Sequence, residues 1–328
     1  MGFHYVLENR YYPAIYHWFI YMLGGLRHIK EEGKVAIYVN DFNPAPVHSD
    51  SLKCIEDKYV FKAPNPFSEV KNMHGEPLMK KGDEIIGDDV DHDTYKFVRE
   101  LFLSRLPAQT ATARKIYLSL KSYEDSSSIR KILNEDDHIS ALKEAGYEIM
   151  NPKDMSFGEL VKIFNSSAEI LCPSSEVLIY SLFAGEKTTI VEITPRHVVG
   201  LNHTKNMCEA LGINYKRCID VDATNTPICG STFNLKFRKD AVAKLTGKTA
   251  AVEPDYKELQ NYIKIMIQFS NKKYALPIQT SNILACLKLP AIKDWEPIYK
   301  VISEVVVEKH CLMPLPDNKG VMILFVHG

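Results

Sequence analysis

The chain has 328 residues, 45% hydrophobic and 25% charged, a composition ordinary for globular proteins and a length that suits two domains of roughly 100 to 200 residues each. Forty basic residues stand against 41 acidic ones, which leaves no basic excess of the kind that marks a nucleic-acid surface. Seven scattered cysteines, odd in number and never spaced as CxxC, point to reduced thiols and away from a disulfide framework.

In chain order, His4, Glu8 and Arg10 interrupt any apolar core that could open a secretory signal. The longest apolar stretch, Ala14 to Leu26, contains His17 and two glycines and falls short of the roughly 20 residues that span a bilayer, so no integral membrane segment is expected. From Ala14 to Ile29 apolar and aromatic residues recur at three and four, predicting a helix that stops before Gly33 and leads to a strand, Val35 to Val39. Asp41 to Ser49, with Pro44 and Pro46, reads as a loop, as does Ala63 to Glu69. Asp88 to Asp93 reads as a charged turn into a helix from Thr94 to Ser104. Arg105 to Ala113 has the composition of a linker, which closes a first α/β domain over residues 1–106.

The second domain, residues 107–255, opens with four short apolar strands: Lys115 to Ser119, Tyr147 to Met150, Glu169 to Cys172 and Thr189 to Ile193. Three helical segments alternate with them, the pattern of a parallel, doubly wound sheet whose strand carboxyl ends border a ligand crevice. Polar residues fall at those ends: Lys121, then Pro173 to Glu176, then Glu192. Beyond come a helix around Thr204 to Leu211, a strand from Arg217 to Val221, an irregular polar stretch to Asn234, and a helix from Asp255 to Gln268. In the final segment, residues 256–328, Val321 to Val326 reads as a strand and Val301 to Val307 as a strand or a helix.

Three pieces, RKILNE at Arg130 to Glu135, NPKDMSFGELVKIF at Asn151 to Phe164, and the strand, turn, helix, strand unit at Glu169 to Ile193, resemble the nucleotide-sugar domain of glycosyltransferase family 61. The likeness is best over residues 114–194, and the YHW at Tyr16 to Trp18 is similar to the family's Tyr-His-Trp segment. The resemblance implies a GT-B-like α/β fold, two Rossmann-type domains facing a cleft, with residues 256–328 closing back on the first domain. It further implies an inverting, metal-independent hexosyl- or pentosyltransferase that needs no cofactor. The donor would be a nucleotide diphosphate sugar and the acceptor a glycan hydroxyl. Secretory-pathway members carry an amino-terminal anchor, so its absence implies a cytoplasmic version or a trimmed chain.

The same resemblance implies site residues. Arg130 matches an arginine near the donor phosphates, where a guanidinium can hold two oxygens at once. Ser119 and Lys121 match the ends of a Ser-Arg-Lys run whose arginine is Leu120 here. The turn CPSSEV and the Leu178 that follows it keep the proline (Pro173) and leucine of a glycine-rich family motif but have Cys172, Ser174, Ser175 and Val177 at other positions. Free backbone NH groups at a helix start, with Ser174, Ser175 and the neighbouring Glu176, suit a diphosphate, although a plain serine N-cap accounts for the same residues. Glu192 would accept from the ribose, or else form a structural ion pair. His17 would be the general base, or else a histidine packed among aromatics; the acid that the family often places four positions later is Tyr21.

Other patterns carry less. Asp89, Asp91 and Asp93, and Asp220 with Asp222, mimic an Asp-x-Asp metal signature that belongs to a different fold, so no metal site is expected. Gly247 to Thr249 lacks the first glycine of a P-loop, and His197 and His203 lack the spacing of a helical zinc pair. Asn165 and Asn202 open glycosylation sequons, relevant to a secreted chain. Two further readings stay open: a non-catalytic nucleotide-sugar or glycan binding protein, and a sialyltransferase-like enzyme whose monophosphate donor would suit paired serines.

Overall fold

Two parallel sheets organise the chain in a computed structural model. It describes residues 4–7, 14–30, 32–39, 43–62, 90–107, 110–125, 128–195, 203–218, 220–224, 232–245, 310–314 and 321–325. The predicted loop Ala63 to Glu69, the helix Asp255 to Gln268 and the apolar piece Val301 to Val307 lie outside them.

The first sheet holds β1 (His4–Leu7), β2 (Val35–Val39) and β3 (Tyr59–Lys62) in that order, all parallel. Along β2, Val35, Ile37 and Val39 are buried on one face, as the two-residue period of a strand requires. The helix expected at Ala14 to Ile29 is helical but not uniformly α. It starts as α1 (Ile15–His17), widens into a π-helix at Trp18–Leu23, and tightens to a 3-10 turn at Leu26–His28. Trp18, Phe19, Ile20, Met22, Leu23 and Leu26 are all buried, so packing on several sides, not a single amphipathic stripe, sets its course.

The Asp41 to Ser49 loop is a correction, because α2 (Pro46–Lys53) begins inside it. Proline at the first helical position lacks an NH that would have no helical partner anyway, and its fixed φ suits the helix. The His48 ring accepts from the Ala45 NH at 3.1 Å and finishes that end. In α3 (His92–Leu103), Asp91 is the N-cap and accepts from the Asp93 NH at 3.0 Å. Its other carboxylate oxygen meets Arg27 at 2.6 Å, so this aspartate serves the fold.

The second sheet contains β4 (Lys115–Leu118), β5 (Tyr147–Met150), β6 (Glu169–Pro173), β7 (Thr189–Ile193) and β8 (Asn214–Cys218), in the order β5-β4-β6-β7-β8 and parallel throughout. Ile116, Ile170 and Ile190 belong to the core on one face, Tyr117, Leu171 and Val191 to the core on the other. Both faces are thus covered, which is why β4, β6 and β7 read as near-continuous apolar runs. The chain leaves β4 toward β5 and returns on the other side as β6. That reversal is the switch point at whose carboxyl edge ligands bind in open α/β sheets.

The single strand expected at Arg217 to Val221 is another correction. β8 ends at Cys218, and a short β9 (Val221–Ala223) pairs antiparallel with β10 (Leu235–Phe237). Asp220 marks the break: its carbonyl accepts from the Arg238 NH at 3.0 Å and its carboxylate from Lys244 at 2.8 Å. In the last segment β11 (His310–Pro314) and β12 (Val321–Phe325) form an antiparallel pair, and β12 is the predicted strand.

The helices of the second unit are α4 (Ile139–Glu144), α5 (Phe157–Ser166), α6 (His203–Leu211) and α7 (Ala241–Leu245). Ser156 and Glu159 open α5 with a reciprocal capping box: the Ser156 NH donates to Glu159 at 2.8 Å and the Glu159 NH to Ser156 Oγ at 3.3 Å. Ser156→Ala should cost about 1 kcal/mol of stability in chemical denaturation, the usual worth of such a cap. At the other end, the Asn165 amide donates to the Phe183 carbonyl at 2.9 Å, so the first sequon asparagine is part of the fold. Gly185 sits so close that an added Cβ would stand 2.3 Å from the Asn165 carbonyl oxygen.

An aromatic cluster joins the two sheets' helices. Phe19, from the helical segment before β2, lies 5.7 Å from Phe102 of α3, 5.7 Å from Phe157 of α5 and 5.8 Å from Phe183. The segment carrying His17 is therefore held against the layer that covers β4 and β6.

Candidate active site

The turn after β6 is the centre of the site. Pro173 still pairs with Ile193, and the Ser174 NH donates to the Ile193 carbonyl at 2.9 Å. Ser175 has an extended backbone (φ −164°, ψ 166°), and its side chain makes no capping bond to the 3-10 helix Glu176–Phe183 that follows. A plain serine N-cap therefore does not account for it. Its Oγ lies 3.8 Å from the buried Cys172 sulfur.

The segment after β4 runs antiparallel to this turn. Ile129 bridges Ser175, and the Glu176 NH donates to the Ser128 carbonyl at 2.9 Å. Arg130 is consequently set beside the paired serines. It is 3% exposed, and its guanidinium carbon lies 4.6 Å above the Phe233 ring, a contact that orients the planar cation. Lys131 fixes Phe233's loop, donating its NH to Asn234 at 2.9 Å and accepting from the Leu235 NH at 2.8 Å.

Glu176 ties the turn to the His17 helix. Its Oε2 accepts from the Ile15 NH at 3.3 Å, the first NH of α1, for which Ala14 supplies no side-chain cap. A carboxylate at a helix start satisfies an orphan donor and complements the dipole. Burial pushes the Glu176 pKa up, while the bonds from Ile15 and Ser128 oppose that rise. Tyr123 and Tyr180 stand behind the turn. Burial first, then the charge of neighbours that include Glu176, raises both phenols.

His17 is half-buried in an aromatic nest. Tyr21 lies 4.9 Å from its ring at 34°, and Tyr16 meets it edge-on at 6.2 Å. The Tyr16 ring also lies 4.9 Å from that of His203, and the Tyr16 and Tyr95 hydroxyls are 3.3 Å apart. Burial, then the charge of His203, lowers the His17 pKa below the ordinary imidazole value, which favours the neutral form a base needs. Burial and then Tyr95 push Tyr21 up to about 12.

Three sequence candidates have side-chain partners within the fold. Ser119 Oγ donates to Glu135 at 2.8 Å, and Tyr117 donates to the other Glu135 oxygen at 2.6 Å, so the half-buried Ser119 is bonded to a buried carboxylate just past the end of β4. Lys121 is exposed and paired with Asp136. Glu192 is buried within β7, where its carboxylate accepts from the Tyr215 hydroxyl, which accepts in turn from Arg217 Nε at 2.9 Å. Glu192 is thereby linked to Arg217 through the Tyr215 hydroxyl. Among the described residues, no group of three or more His, Cys, Asp or Glu side chains is disposed to hold a metal, and Asp222 pairs with Arg238 at 2.8 Å. An apolar hollow of about 650 Å³ between the end of α3 and one side of α5 shares no residue with the site.

A family model described as Glycosyltransferase 61 matches residues 15–191, more than half of the 328-residue chain. The chain belongs to the glycosyltransferase 61 family. The match runs from Ile15, whose NH Glu176 binds, into β7, and so takes in His17, Arg130 and the Pro173 to Glu176 turn. Membership in glycosyltransferase family 61 supports a sugar-transfer activity with donor and acceptor substrates. No curated protein matched the chain. None of the described helices is long and apolar enough to cross a membrane. Tyr95, Tyr123, Tyr180 and His203 stand near these candidates without a signal in local spacing, because each arrives by packing of separate elements.

Proposed function

We propose that the chain transfers a sugar, with inversion, from a nucleotide diphosphate sugar to a glycan hydroxyl, across a cleft between its two α/β units as in the GT-B arrangement. The observation that carries this reading is the Ile129–Ser175 bridge, which sets a buried arginine beside two serines at the switch point of a parallel sheet. Such a cation, with the hydroxyls of Ser174 and Ser175, would take up the charge that develops on the leaving diphosphate. His17, on the helix that Glu176 joins to the same turn, would take the acceptor proton as the new bond forms at the anomeric carbon.

Arg130→Ala is expected to weaken nucleotide diphosphate binding by about 1.5 to 3 kcal/mol, the range of a charge-assisted hydrogen bond, in isothermal titration calorimetry. Equal affinity for the two proteins would take Arg130 out of the site. Because the guanidinium supplies the positive charge in this reading, transfer should persist in a chelator; full loss restored by manganese would overturn metal independence. A second reading, a nucleotide-sugar or glycan binding protein without turnover, draws support from Ser119, Lys121 and Glu192, whose side chains bond within the fold.

A further inference from the structure

Tyr16 joins two imidazoles, one near the start of the family match and one beyond its end. Its ring meets His17 on its own helix and lies 4.9 Å from that of His203, the first residue of α6. α6 reaches this point by packing against α3 and the Glu176–Phe183 helix. The groups gathered about His17 are Tyr16 and Tyr21 on its own helical segment, Tyr95 from α3, His203 from α6, and Glu176, which holds the Ile15 NH two residues earlier. We infer that His203 is the electrostatic partner of His17: gathered on Tyr16, the two imidazoles carry at most one proton between them, so His17 meets the acceptor hydroxyl as a neutral base.

The inference rests on the proposed role of His17 and deepens it. Two cations in a half-buried aromatic nest repel each other strongly, because little water is present to screen them. Where a carboxylate beside a catalytic histidine would favour its protonated form, a second imidazole does the reverse. In the reaction, the acceptor oxygen bonds to the anomeric carbon, the bond from that carbon to the diphosphate oxygen breaks, and the acceptor proton passes to His17. Only neutral His17 can receive it. Burial and His203 both lower the His17 pKa, so the base stays competent further into acid, and the rate is lost as pH falls through that lowered value.

The test is a titration of His17 by NMR with labelled histidine in the full chain, alongside the pH profile of kcat/KM. In His203→Gln the His17 midpoint should move up and the acid limb of the profile with it, while donor KM is unchanged. His203→Lys restores a positive charge and should hold the midpoint at or below the wild-type value. Should His203→Gln fail to fold, His203→Phe keeps a ring against Tyr16 and carries the same expectation. A midpoint unmoved in a folded neutral variant overturns the pairing. A midpoint that moves while His17→Ala leaves transfer intact upholds the pairing and overturns the base assignment beneath it.

Discussion

Replacing His17 with alanine is expected to lower sugar transfer by about a hundredfold or more while donor affinity stays at the wild-type level. The asymmetry follows from where a general base acts. It takes the proton as the acceptor oxygen becomes nucleophilic, so its contribution is to the transition state and hardly to the ground-state complex. Arg130 and the serine turn, which stand beside one another through the Ile129–Ser175 bridge, would keep the donor bound in the variant. Steady-state transfer assays with a range of glycan acceptors, paired with calorimetric donor binding, check both halves. If the wild-type chain binds a nucleotide sugar but turns over none of these acceptors, and His17→Ala changes only thermal stability, the histidine is a packing residue and the binding-protein reading stands.

Phe19→Ala should be the most destabilising of the substitutions considered, at about 3 to 5 kcal/mol. Phe19 is fully buried, and besides Phe102, Phe157 and Phe183 its ring lies 6.2 Å from Tyr180. Truncation would remove the transfer energy of the ring and leave a cavity walled by aromatics from separate elements, which can close only in part. Against a total stability of about 5 to 15 kcal/mol such a loss is large. It should appear as a lowered urea midpoint with an unchanged slope. Phe19→Leu, which keeps most of the volume, should lose much less. A loss under about 1 kcal/mol for the alanine variant would show that the aromatic cluster does not anchor the His17 helix. Because Phe19 lies two residues from His17, a folded Phe19→Leu protein with reduced transfer would further tie the packing to the site.

What was legible in the sequence follows from which forces act locally. β2, β5 and β7 have their predicted bounds, and β4 and β6 differ by one residue at one end, because the burial of a strand, on one face or on both, is recorded in the apolar pattern of its own residues. The proline that suggested a loop at Pro46 opens a helix instead, since its meaning depends on whether it falls at a first turn. The periodic run at Ala14 to Ile29 announced a helix, but the widened π turns at Trp18–Leu23 depend on neighbours packed on several sides. Family likeness named Arg130, His17 and the serine turn; the tertiary structure decided which of these stand together. Glu192 and Ser119 occupy strand ends where ligand contacts are expected, yet Tyr215 and Glu135 engage them, and nothing in their own neighbourhood reveals that. The ring contact between Tyr16 and His203 joins residues far apart in the chain and is made only when α6 packs against α3. Periodic burial is written along the chain, residue by residue, whereas the pairing of polar groups is a property of segments that meet after folding.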